Sequence, residues 1–353
     1  MRNVLLVLLA LAAIGAGAVA WLAFLPNTTG DEPASVRLPE GTTFDAALDS
    51  LEAAGALGSR TSMALFGDLT GWGDQVKTGH YLIEPGMSNW AALDKIRKGL
   101  QDPLRITIPG GLTPERFGRV LQRQLGADSA AVVAALADPE LAEQLGTSTE
   151  RLFGRMRANT YDILWTTDAR RAISRIHEWH ERYWTTEKRA QAEALGLTPD
   201  EAIALAAIVQ WEAQKPEERG TIAGVYLNRL LGRTPAGRMR LQADPTVQYA
   251  LMDQDGGPMR RLFFRDYAVD HPYNTYQIDG LPPGPINNPS DDAIDAVLAG
   301  GEGDYLYFVA DGTGGHDFSR TVSEHNAKAR RWSQYLQEQT RIRRQREAEQ
   351  AGP

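Results

Sequence analysis

A carboxylate stands at the end of one of the most apolar stretches of the chain: "IALAAIVQWE" runs from Ile203 to Glu212. An acid placed there asks for a chemical reason, because burial disfavours the charged form of a carboxyl and raises its pKa. Lifting a glutamate from about 4.3 to about 6–7 takes about 2–4 kcal/mol of differential solvation, which one apolar pocket can supply. A carboxyl tuned in this way is a general acid at neutral pH. Two other readings of Glu212 stay open at this point: an ion pair with Arg219 or Arg229, or a position past the helix end in water. Polar and aromatic clusters follow it: "LNRL", "LQADPTVQYAL", "YNTYQIDGLPPGPINNPS" and "FVADGTGGHDFSRTVSEHN". On loops, these have the composition of a sugar-binding groove, with ring faces that stack on pyranoses and amides that bond hydroxyls.

The elements that must hold these groups leave their own marks. "TPDE", Thr198 to Glu201, is a capping box with proline at the first helical position, and it sets the start of the helix that carries the acid. At the helical repeat, Glu212 falls within roughly 40° of Glu201, Leu205 and Ile208, so it is expected to continue a buried face while Gln210 and Trp211 point elsewhere. Further on, "YLYFVA", Tyr305 to Ala310, predicts a strand, and a terminal helix follows it. "DGTGGHD" lacks the lysine of a phosphate-cradling loop.

At the other end, Val4 to Leu25 is 22 residues without a charge, long enough to cross a bilayer as a helix. Arg2 precedes it and Asp31 and Glu32 follow, which places the body outside the cytoplasm. A cleaved signal peptide is the competing reading, with "GAVA" as the processing site; the run length and Trp21 favour a retained anchor. A polar spacer, Pro26 to Ser35, leads into a repeat. Gly41 aligns with Gly86, and Ala46-Ala47-Leu48-Asp49 with Ala91-Ala92-Leu93-Asp94, at a constant offset of 45 residues. "ITIPGGLTPERFGRVL", from Ile106, repeats the pattern of strand, glycine turn, Ser/Thr cap and helix. The segment 126–197 is charged and helical, and in "RRAISRIHEWHERYW" the residues Ile173, Ile176 and Tyr183 are expected to pack inward. His177 and His180 read as a surface pair rather than as zinc ligands.

The expected fold is α+β: an anchor helix at 1–25, a linker at 26–35, a small α+β module at 36–106, a helical connector at 107–197, a mixed α/β catalytic domain at 198–335 and a charged tail at 336–353. A net charge of −8 argues against nucleic acid as a partner, and the lack of any cysteine removes thiolate chemistry.

"IVQWE", "YLNRL", "LQADPTVQYA", "YNTYQIDGLPPGPINNPS" and "GGHDFSRTVSEHN", in this order and spacing, resemble the YceG-like family, the MltG-type endolytic murein transglycosylases. The resemblance spans about residues 200–335. It implies an enzyme tethered to the inner membrane, with its body outside the cytoplasm, that cuts nascent peptidoglycan strands between N-acetylmuramic acid and N-acetylglucosamine. It also implies that the small module is LysM-like, that no cofactor or metal is needed, and that penicillin-binding proteins or other wall-synthesis proteins are partners. The family's acid maps onto Glu212; a second acid often found two residues earlier is Gln210 here, and the usual "PDTY" is "ANTY", Ala158 to Tyr161.

In this reading Asn228, Gln242, Asp244, Thr246 and Tyr249 bind sugar near Glu212, with Tyr273, Asn274 and Tyr276 on a facing loop. Glu324, His325 and Asn326 contribute from the start of the last helix. Asp244 has two readings, as the cap of a helix beginning at "DPT" or as an anion that raises the pKa of Glu212, and the cap is favoured. Two rival functions remain: a catalytically inactive glycan-binding scaffold of the wall machinery, and a hydrolase that pairs Glu212 with Asp244 or Asp279.

Overall fold

The computed structural model describes residues 2–256 and 260–350. The chain divides into two compact units: residues 1–106 with 123–126 and 161–168, and residues 107–122 with 127–160 and 169–353.

The first unit opens with α1 (Arg2–Phe24), whose segment Asn3–Phe24 has mean hydropathy 2.5 and the length and composition to cross a membrane. Then come β1 (Ala34–Leu38), α2 (Phe44–Ala53), α3 (Arg60–Thr70), β2 (Gly79–Ile83), α4 (Asn89–Lys98) and β3 (Leu104–Ile108). The strands β1 and β2 pair antiparallel, Ala34 opposite Ile83 and Leu38 opposite Gly79. Leu38, Leu51, Met63, Tyr81, Ile83 and Ile96 close the core of this unit.

The 45-residue repeat has a structural cause. After β1, Gly41 takes φ +76 and Thr43 caps α2; after β2, Gly86 takes φ +80 and Ser88 caps α4. After β3, Gly111 takes φ +76 and Thr113 Oγ1 accepts the Arg116 N–H at the start of the next helix. Only glycine reaches that left-handed turn without strain, and the hydroxyl after it satisfies one of the free N–H groups of each new helix.

The stretch 26–35 departs from the expected linker. Asn27 Nδ2 donates to the Ser59 carbonyl and to Asn89 Oδ1, and Asn27 Oδ1 accepts the Ser59 N–H. Thr28 Oγ1 donates to the Glu84 carbonyl, while Leu22 and Ala23 of α1 are buried in the core of the unit. Side chains that read as polar spacer satisfy buried backbone groups instead, which holds the end of α1 against the module.

The second unit contains α5 (Pro114–Leu125, with its last turn in the first unit), α6 (Ser129–Leu136), α7 (Pro139–Gln144), α8 (Thr149–Leu152), the start of β4 (Asn159–Ile163, with 161–163 in the first unit), α9 (Ala169–Tyr183), α10 (Thr186–Ala194), α11 (Pro199–Glu212), α12 (Arg219–Leu231), α13 (Asp244–Asp255), α14 (Asp291–Leu298), β5 (Tyr307–Ala310), β6 (His316–Ser319) and α15 (Val322–Gln350). The capping box at Thr198 and Glu201 is present in full. The helix it starts is not amphipathic: every residue of α11 from Ala202 to Val209 is buried. Helices α10, α12, α13 and α14 surround it, so Glu212 ends a core helix rather than extending one buried face.

This unit holds less sheet than a mixed α/β domain. Its hairpin is β5 with β6, antiparallel in the register Tyr307 opposite Ser319. The "DGTGG" stretch makes the turn, with Gly312 and Gly314 at positive φ.

Helix α9 buries Ile173 and Ile176 as expected and leaves Tyr183 half-buried. His177 and His180 are buried as well, not on the surface. Burial, with Arg155 beside them, lowers both pKa values, that of His180 to about 2, so both are neutral at pH 7.

Close packing around α12 gives a first prediction. A Cβ on Gly224 would lie 2.1 Å from the carbonyl oxygen of Glu302, a backbone atom that cannot swing away. Gly224→Ala is expected to destabilise the protein by about 1–3 kcal/mol or more, read as a lower urea midpoint.

Candidate active site

Glu212 ends α11, and the side chain nearest its function comes from α12. The Tyr226 hydroxyl donates to Glu212 Oε1 at 2.6 Å. Tyr226 is 1% exposed, and burial pushes its own pKa well up, so it remains a donor. The bond engages Oε1 of the carboxyl.

Burial raises the Glu212 pKa from 4.5 to about 7; the Tyr226 hydrogen bond opposes this, the Asp244 charge adds to it, and Arg229 opposes it more weakly. The acid is not locked against a guanidinium. Arg229 Nε donates to the Leu306 carbonyl at 2.7 Å and Nη1 to the Leu241 carbonyl at 2.5 Å. Arg219 faces Asp292 at 3.4 Å. Gln210 turns away from the acid, its Oε1 accepting the N–H and hydroxyl of Ser290 at the cap of α14, and Trp211 Nε1 donates to the Gly111 carbonyl.

Asp244 corrects the favoured sequence reading. Ala243 occupies the cap position of α13 and Asp244 is the first helical residue. The Asp244 carboxylate accepts the Tyr276 hydroxyl on Oδ1 at 2.7 Å and the Tyr267 hydroxyl on Oδ2 at 3.3 Å, and the two tyrosine rings lie 4.5 Å apart. It is therefore the nearby anion, held by two phenols and felt by Glu212. Asp279 is elsewhere: it pairs with Arg240 and lines a polar cavity with Arg151, Asp200 and Arg238, toward the opposite end of α11.

The turn before Asp244 is strained. Gln242 has φ +49, rare for a side-chain-bearing residue and worth about 1–3 kcal/mol. Its neighbours hold it: the Gln242 N–H donates to the Thr275 carbonyl, the Ala243 N–H to Thr275 Oγ1, and Leu241 is fixed by Arg229. The result is an exposed Gln242 side chain beside the anion.

Several of the expected sugar contacts prove to be scaffold. Thr246, at 0% exposure, is bonded to the Ala243 carbonyl and Thr275 Oγ1. Asn274 is buried with its amide on the Tyr267 and Val269 carbonyls, and Asn228 is buried with its amide on the Gly303 and Tyr305 carbonyls. These polar side chains serve irregular backbone that no helix or sheet satisfies, so they order the loops around the site. Tyr273 is buried and packs at 4.6 Å on the half-buried Tyr249.

At the start of α15, Glu324 accepts the Arg320 N–H while its own N–H donates to Thr321 Oγ1, an arrangement of helix-start type. His325 stacks on Tyr307 at 5.5 Å, and Asn326 is exposed. The structure thus brings together Glu212, Asp244 and Tyr276 from the expected set, with Arg229 nearby as a charge rather than as the ion-pair partner the sequence left open, and adds Tyr226 and Tyr267, which sequence reasoning did not single out. For Tyr226 a signal existed: a phenol in the apolar run "AGVYL" needs a buried partner.

Asp244→Asn is expected to move the alkaline limb of the pH–rate profile down, since the anion that holds the proton on Glu212 is removed, and to slow turnover about tenfold. An unmoved limb would show that the two carboxyls do not communicate.

Among the described residues, fold and site set a carboxyl of raised pKa, Glu212, within electrostatic reach of an aspartate held by two tyrosines. Residues 36–331 match the YceG-like family, most of the chain, and the chain belongs to that family. It is similar to a protein of Bacillus subtilis named endolytic murein transglycosylase, 27% identical over 312 residues, covering 83% of this chain and 82% of the relative. A protein of Streptococcus pneumoniae with the same name is 29% identical over 331 residues, covering 82% of this chain and 58% of the longer relative. A crystal structure of a yceG-like protein from Listeria monocytogenes matches with TM-score 0.56 and 26% identity, covering 84% of this chain and 99% of that one.

Proposed function

We propose that the chain is a membrane-anchored endolytic lytic transglycosylase that cleaves the N-acetylmuramic acid to N-acetylglucosamine bond of nascent peptidoglycan and leaves 1,6-anhydro ends. The observation that carries this reading is the Glu212 carboxyl, raised to about 7 and held on one oxygen by Tyr226. The names of the relatives from Bacillus subtilis and Streptococcus pneumoniae support it.

A carboxyl with a pKa of about 7 gives up and regains a proton with equal ease at neutral pH. Glu212 protonates the glycosidic oxygen as the C1–O bond breaks and an oxocarbenium-like centre develops. The Asp244 anion favours that positive charge. Glu212, now ionised and steadied by the Tyr226 hydroxyl, takes the proton of the muramic acid C6 hydroxyl, whose oxygen closes onto C1. No water is consumed, and the intramolecular nucleophile needs no second catalytic base; holding it in place is worth about 7–11 kcal/mol in favourable cases. Gln242, Tyr249, Tyr276 and Asn326 remain the candidates for sugar contact, as residues with accessible side chains.

In the first unit, two helices between the paired strands β1 and β2 support a LysM-like, glycan-holding role. Helix α1 is the anchor, with the body outside the cytoplasm, and wall-synthesis proteins such as penicillin-binding proteins are the expected partners.

Uncrosslinked glycan strands incubated with the full chain should yield ends lighter by one water than hydrolytic ends. Reducing ends throughout would instead make the chain a hydrolase.

A further inference from the structure

The most exposed large apolar side chain among the described residues is Phe264, at 95%, and its neighbour Phe263 is at 56%. The turn beneath them is built to display them. Buried Asp266 accepts the Phe263 N–H at 2.6 Å and two guanidinium nitrogens of Arg260 at 2.7 and 3.0 Å. The guanidiniums of Arg260 and Arg265 flank the Phe263 ring at 5.6 and 5.7 Å. Arg261 carries the cationic surface into a groove of about 740 Å³ that it lines with Leu336, Arg341 and Arg344 of α15. Among the described residues, Asp266 pairs with Arg260 and, at 3.9 Å, with Arg265, and Glu338 pairs with Arg341, so the arginines outnumber the acids facing them. A chain of net charge −8 thus sets a cationic rim around two phenyl rings.

Size and charge select the occupant. Two phenyl side chains offer about 300–500 Å², short of the roughly 800 Å² per side that a stable protein contact buries. Rings that sink into an apolar layer while arginines remain at its charged boundary are the composition of an interfacial membrane contact. An anionic leaflet complements the arginines.

We propose that the loop Arg260 to Arg265 is a membrane-surface contact in which Phe263 and Phe264 enter an anionic phospholipid bilayer and Arg261 and Arg265 engage its phosphates. The loop leads directly into Tyr267, whose hydroxyl reaches Asp244, so docking it would hold the segment beside Asp244 at the leaflet. This goes beyond the transglycosylase reading and rests on it only for a bilayer beside the enzyme.

The sequence holds no cysteine, so Phe264→Cys in the full chain provides a unique thiol for an environment-sensitive fluorophore. The labelled chain is reconstituted in phosphatidylcholine vesicles with or without phosphatidylglycerol, both carrying a lipid-borne quencher. Quenching is expected with phosphatidylglycerol, above that of a label at the exposed control position in Glu193→Cys. Each of Arg261→Glu and Arg265→Glu should lower the membrane-apposed population about fivefold or more.

An unlabelled chain with Phe263→Ser and Phe264→Ser should cleave soluble strands at the unmodified rate and vesicle-bound strands more slowly. Quenching no greater than at the control position overturns the proposal, and so does protection of the label by soluble glycan without lipid quenching, which would make the tip a glycan platform. Failure of the unmodified chain to cleave soluble strands would sink the transglycosylase reading alone, since the quenching is read independently.

Discussion

Glu212→Gln is expected to remove strand cleavage while making the protein more stable at neutral and alkaline pH. Loss of a general acid costs about 10²–10⁴-fold, and here the same carboxyl also serves as the base, so the upper end applies. The stability change follows from linkage. The unfolded chain releases the Glu212 proton near 4.5, whereas the folded protein holds it to about 7. Between those values the native state binds more protons than the unfolded one, so stability falls as pH rises through the window. Below pH 4.5 both states are protonated and the glutamine has nothing to relieve. Above pH 7 the full penalty, about 3 kcal/mol, is present in the wild type and absent from the variant. Urea midpoints of the two proteins should coincide at pH 4 and separate progressively to pH 8. A separation that shrinks with rising pH would mean that Glu212 is stabilised as an anion.

Tyr226→Phe carries the second-largest effect and the opposite sign from Asp244→Asn. The phenol bonds the charged form of Glu212 and holds its pKa down, so removing the hydroxyl should move the alkaline limb of the pH–rate profile up. A hydrogen bond to a charged group is worth about 1.5–3 kcal/mol, which corresponds to a fall in kcat of about tenfold to a hundredfold at neutral pH. Profiles of both variants on the same strands test the arrangement as a pair. Limbs displaced in the same direction would contradict the opposing influences of the phenol and the aspartate on Glu212.

Local chemistry was legible in the sequence where a rule acts within a few residues. The capping box at Thr198, the three glycine turns of the repeat and the apolar α1 all follow from neighbouring side chains. Long-range polar contacts were not. Asn228, Thr246 and Asn274 look like ligands for a sugar because their types suit hydroxyls, yet each bonds backbone far away in sequence or across an irregular loop. Asp244 looks like a cap because aspartate before proline starts helices, but Ala243 takes the cap geometry and frees the carboxylate for two tyrosines. Asn27 and Thr28 have the composition of a linker, and their burial depends on partners around residues 59 and 84–89 that no local pattern announces.

The protonation of Glu212 can be observed directly. An infrared difference spectrum of the wild type minus Glu212→Gln isolates the C=O stretch of this one protonated carboxyl, and its amplitude can be followed with pH. The band should persist through mildly acidic solution and fade with a midpoint near 7. A band that disappears with a midpoint near 4.5, as for a carboxyl in open water, would contradict the account.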